Sequence, residues 1–143
     1  MKKNFLLTIP LSLALAGGAW AAANAPLADA VMNGDKAAIQ SLLKTKADVN
    51  AAQPDGTTAL HWAAHQGDLA LVKDLLKAGA NAKLANRYGI TPLAEASQQS
   101  DPAITEALLN AGADANTLAT EEGQTVLMNA ARVGNLAAVK LDR

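Results

Sequence analysis

His61 and His65 stand four residues apart, so on a helix both rings would lie on one side and could reach one metal ion. A catalytic zinc motif of that spacing carries Glu beside the first His, whereas here the neighbour is Trp62. Asp68, seven residues beyond His61, is the nearest further acid, and no third ligand is evident. A metal-binding protein or enzyme centred on His61 and His65 is thus the alternative to a purely structural pair. The chain has no Cys, which removes thiol nucleophiles, disulfides, Cys zinc sites and lipid-modified cysteines. There is no G-x-S-x-G and no phosphate loop. Glu121 and Glu122 fall where a solvated turn is expected, not a general acid and base. The reading predicts no enzyme, no catalytic or metal residues and no cofactor.

The elements that would position these side chains are written in the composition. Of 143 residues half are apolar, yet only 3% are aromatic; 34 are Ala and 21 are Leu. A chain this short supports one domain, and Ala with Leu in such amounts argues for closely packed helices. Twelve Lys and Arg against 13 Asp and Glu leave a charge of −1, with no electrostatic footprint for nucleic acid. Lys36, Lys44, Lys73, Lys77 and Lys140 read as solvated charges on outer helices.

The first segment, residues 1–23, reads as a cleavable signal peptide. Lys2 and Lys3 precede an uncharged run from Phe5 to Ala16, and small residues follow through Ala23. Twelve apolar residues are too few to span a membrane, which takes about 20. Cleavage after Ala21 or after Ala23 fits, and the expected destination is the periplasm. Loss of Lys2 and Lys3 takes the basic residues to 10 against 13 acidic ones, a net charge of about −3 with no membrane span in the mature chain.

A 33-residue period governs the rest. Gly34, Gly67 and Gly134 share one phase, Gly56, Gly89 and Gly123 a second, and Gly79 and Gly112 a third, with one extra residue inserted before the last unit. Thr58, Thr91 and Thr125 keep step, as do Leu27, Leu60, Leu93 and Leu127, and the pairs Leu42-Leu43, Leu75-Leu76 and Leu108-Leu109. The threonines are placed to cap a first helix, and Gly34, Gly67 and Gly134 to end it. Asp35, Asp68, Asp101 and Asn135 are then placed to cap a second helix, whose apolar stripe in unit two is Leu71, Val72, Leu75 and Leu76. Ala63-Ala64 and Ala130-Ala131 allow paired helices to approach closely. Two short helices cannot bury their own apolar face, so the units must stack.

The segments Gly56-Thr57-Thr58-Ala59-Leu60-His61-Trp62-Ala63-Ala64, Gly89-Ile90-Thr91-Pro92-Leu93 and Gly112-Ala113-Asp114-Ala115-Asn116 resemble the ankyrin repeat. The resemblance covers about residues 26–141. It implies an all-α solenoid of about four units, 24–52, 53–85, 86–119 and 120–143, the last incomplete. There are departures: Lys46 and Ser100 stand where a helix-ending Gly is expected, and the helix-start His appears only as His61. The resemblance makes His61 structural and His65 an exposed position.

It further implies a non-catalytic module that binds another protein through its inter-repeat turns and the exposed part of each first helix. On this chain those positions are Asp55, Thr57, His65 and Gln66 in unit two. Unit three offers Arg87, Tyr88, Ile90, Gln98 and Gln99, and unit four Glu121, Glu122, Gln124 and Arg132. Tyr88 is expected at a loop tip as a partner anchor; Trp62 suits either an anchor or packing within the stack. Unit four ends at Asp142-Arg143 where its neighbours carry two leucines. Its uncapped end is therefore expected to fray and to offer a surface for self-association, and the chain fits equally the N-terminal part of a longer array.

Overall fold

The computed structural model describes residues 24–99 and 101–116, together with Thr125 and Met128. Among the described residues there are six helices and no strand: α1 (Pro26–Met32), α2 (Lys36–Lys44), α3 (Ala59–Gln66), α4 (Leu69–Lys77), α5 (Pro92–Gln99) and α6 (Pro102–Asn110). They form three helix pairs at the expected period. The signal segment and nearly all of the fourth unit lie outside the described residues.

Helix starts follow the capping residues. Asp35 accepts a hydrogen bond from the Ala38 N–H at 3.0 Å and Asp68 from that of Leu71 at 3.0 Å. Asp101 accepts from Ala103 at 2.9 Å and from Ile104 at 3.3 Å. Each such cap is worth about 1 kcal/mol. On the first helices, the Thr91 hydroxyl accepts the Ala94 N–H at 3.2 Å and the Thr125 hydroxyl accepts that of Met128 at 3.2 Å. The first unit has Ala25 in place of the capping threonine, and α1 instead begins on Pro26, whose missing N–H leaves nothing to satisfy.

The second helix of each pair ends in a left-handed residue. Gly79 and Gly112 have φ of 96° and 95°. Lys46, in the same phase, keeps that conformation with φ of 54° despite its Cβ, at a cost of about 1 kcal/mol. Ser100, the other departure from Gly, lies outside the described residues.

The phased leucines are the core. Leu27, Leu60 and Leu93 are buried on α1, α3 and α5, and Val72, Leu75, Ile104 and Leu108 on α4 and α6. Leu71 and Leu76 sit half-buried at the edge of the same cluster. Burying one such leucine contributes about 2 kcal/mol. Helices α1, α3 and α5 pack side by side as an inner row, while α4 packs on α6 outside them. Ala28, Ala63, Ala64, Ala94 and Ala96 are buried along the inner row, where larger side chains would hold the helices apart.

Between helix pairs the chain turns out and back as a short hairpin. In unit two Gln53 N–H donates to the Thr57 carbonyl at 2.9 Å and Gly56 N–H to that of Gln53 at 2.8 Å. In unit three Asn86 donates to Ile90 at 2.9 Å and Gly89 to Asn86 at 3.0 Å. The two tips are joined directly, Arg87 N–H to the Asp55 carbonyl at 2.8 Å. Gly56 is required there twice over. Its φ is +86°, and a Cβ would lie 3.0 Å from the Asn86 Cα, so the neighbouring backbone would have to give by a few tenths of an ångström. The stacking of successive hairpins thus rests on a glycine at this point.

Candidate interaction face

His61 is the most deeply placed polar side chain of the inner row, only 1% exposed. Its Nδ1 accepts the Thr58 N–H at 3.1 Å and lies 2.8 Å from the Thr58 hydroxyl. The contact is the reach-back half of a capping box, with His in the place usual for Glu or Gln. Nε2 lies 3.0 Å from the Ile90 carbonyl, so with Nδ1 accepting, Nε2 carries the proton and donates across to unit three. Burial pushes the imidazole pKa below its ordinary value, and the Ile90 carbonyl opposes that shift only in part. His61 is therefore a neutral bracket between repeats. It retains no ring lone pair for a metal.

His65, one turn on, points elsewhere. Its Nδ1 lies 2.9 Å from Glu95 Oε2 on α5, with the imidazole half-exposed and the carboxylate largely covered. Because Glu95 can only accept when ionised, Nδ1 is the donor. The Trp62 ring meets His65 edge-on at 6.0 Å between centroids. Trp62 Nε1–H donates to Gln53 Oε1 at 2.8 Å, and the Gln53 amide donates in turn to Asp29 Oδ1 at 2.7 Å. Of the two roles open to Trp62, the structure shows it half-buried and tied into the stack. Asp29, Gln53, Trp62, His65 and Glu95 thus form one continuous polar and aromatic chain across three repeats.

Not every residue expected on the surface is there. Thr57 is buried at 7% exposure: its N–H and hydroxyl both turn onto the Asp55 carboxylate, at 3.0 and 2.9 Å. That N–H holds the Asp55 carboxyl below its ordinary pKa. Ile90 is half-buried against the core, and its carbonyl is taken by His61. Gln66 is exposed, but its amide donates to the Val31 carbonyl at 2.8 Å and so ties α3 to α1. Arg87, Tyr88, Gln98 and Gln99 are exposed as expected, Tyr88 to 74%. Glu121, Glu122, Gln124 and Arg132 lie outside the described residues.

Asp55, Thr57, His61, Trp62, His65, Asn86 and Glu95 enclose a hollow of about 270 Å³ between units two and three. Asn86 shapes its rim: its Oδ1 accepts the N–H groups of Tyr88 and Ile90, each at 3.0 Å, and so fixes the hairpin that carries Tyr88. Sequence reasoning passed over Gln53, Asn86 and Glu95. Gln53 and Asn86 are 33 residues apart, so their shared phase was the available signal.

Stacked helix pairs linked by outward hairpins define a helical-repeat solenoid, a class that builds extended surfaces from short units. The family model for ankyrin repeats, in three copies, matches residues 27–119, and the chain belongs to the ankyrin repeat family. Ankyrin repeats generally mediate protein–protein interaction and are typically non-catalytic. No curated protein matches the chain. Among the described residues no helix is long and apolar enough to cross a membrane.

Proposed function

We propose that this chain is a periplasmic protein-binding module that captures a protein partner on its hairpin tips and inner helices. The observation that carries the reading is Tyr88. An aromatic side chain exposed to 74% stands at a hairpin tip whose backbone is already fixed by Asn86, so little ordering remains to be done on binding. Arg87 beside it and Gln98 and Gln99 on α5 extend the exposed surface. Export rests on the basic, apolar and small-residue run of residues 1–23.

Two measurements test the reading. Fractionation should recover a mature protein that begins at Ala22 or Asn24 from the periplasm; full-length protein in the cytosol would remove the localisation. Tyr88→Ala should weaken the partner by about 1–3 kcal/mol with the fold intact. Unchanged affinity for both Tyr88→Ala and Gln98→Ala would place binding on another face.

A further inference from the structure

The hollow between units two and three has a chemistry of its own. Its walls carry two carboxylates from different repeats, Asp55 and Glu95, an indole ring, and no Lys or Arg. Resting on the reading that this face binds a protein, the geometry points to a partner that inserts one basic side chain between Asp55 and Glu95, against the ring of Trp62.

The carboxylates are positioned but not saturated. Asp55 receives the Thr57 N–H and hydroxyl on its two oxygens, and a carboxylate accepts about four hydrogen bonds in all. Glu95 meets His65 through Oε2, while Oε1 takes no hydrogen bond among the described residues. His61, neutral and with both nitrogens engaged, adds no positive charge to the wall. The Trp62 N–H is held by Gln53, which fixes the indole in the wall of the hollow, and an indole attracts a cation that meets its π face. An acidic side chain entering here would meet two like charges. An apolar one would strip water from two carboxylates and return no hydrogen bond. A guanidinium or ammonium is the side-chain chemistry that both carboxylates attract. Arg87, the nearest cation in sequence, is exposed and does not line the hollow.

The test uses the full chain with Trp20→Phe, so that Trp62 is the sole tryptophan. Blocked tripeptides with a central arginine, lysine, glutamate or leucine are titrated while the Trp62 emission and indole N–H resonance are followed. The arginine and lysine peptides should give saturable shifts that largely vanish in about 1 M salt, and the glutamate and leucine peptides none. Glu95→Gln, which keeps an acceptor for His65, and Asp55→Asn, which keeps one for the Thr57 N–H and turns an amide donor toward the Thr57 hydroxyl, should each weaken the basic peptides about threefold to tenfold. Tyr88→Ala should leave the tripeptides unaffected. Equal response to the glutamate peptide, no response to any peptide, or indifference to Glu95→Gln would overturn the inference. If those failures appear while Tyr88→Ala still weakens capture of the protein partner, the basic guest is wrong and the binding face stands.

Discussion

The Nε2–H of His61, buried in the second repeat, donates to the carbonyl of Ile90 in the third at 3.0 Å, while its Nδ1 caps the N–H of Thr58 in its own repeat. One side chain therefore starts a helix and joins two units. His61→Ala should destabilise the protein by about 2–4 kcal/mol, because it leaves a cavity, strips the buried Thr58 N–H of its partner and leaves the Ile90 carbonyl with the Asn86 N–H alone. Urea unfolding measures this directly. A loss under about 0.5 kcal/mol would mean that water replaces the bracket without cost.

The same bracket sets a pH dependence. Folding holds His61 below its ordinary pKa, so the unfolded chain takes up the proton first. Its contribution is complete above about pH 6.5 and is lost as pH falls below that value. Asp55, also lowered, adds a second loss as pH falls below about 3.8. Melting temperature should drop between pH 7 and pH 5, and the His61→Gln variant, although less stable at neutral pH, should show a shallower drop. Parallel profiles for the two proteins would assign the acid sensitivity to other groups.

Lys46 offers a gain. It holds the left-handed conformation that Gly79 and Gly112 adopt at the same phase, so Lys46→Gly should stabilise by about 0.5–1 kcal/mol. Gly79→Ala should cost about 1 kcal/mol, for strain rather than for space, since nothing lies within 4 Å of a Cβ placed there. Opposite signs for these two substitutions, read by chemical denaturation, are the expected result.

Repetition was what sequence could reveal. Glycine phases, the capping aspartates and Leu27, Leu60 and Leu93 announce helix starts, helix ends and core positions, because those roles depend on residues a few places apart. The links between units obey no such local rule. Gln53 with Asp29, and His65 with Glu95, depend on how far one repeat is rotated on the next and on which rotamer each long side chain adopts. Thr57 was expected outside because it sits beside the turn, yet the Asp55 carboxylate folds its hydroxyl inward. Ile90 was expected there too, but the hairpin pairing with Asn86 lays it against the core.

One of those links is present once and missing at its next occurrence. Asn50 donates to the Gly79 carbonyl at 3.2 Å and accepts the Asn81 N–H at 2.7 Å, and so latches unit one to unit two. Lys83 occupies the same phase in unit two, its stem lying against Gly112. Lys83→Asn should copy the latch onto unit three and stabilise by about 0.5–1.5 kcal/mol. Slower amide exchange in α6 would localise the gain, and no change there would show that the two interfaces differ in geometry as well as in residue.

The central claim is that a protein partner docks on the hairpin and inner-helix face. A photo-cross-linking amino acid placed at Tyr88 samples that face, and one at Lys73, exposed on α4, samples the opposite side. Irradiated in extract of the source cell, the Tyr88 position should trap a discrete protein that is competed away by unlabelled chain, and the Lys73 position should trap none. Adducts from Lys73 with none from Tyr88 would contradict the account.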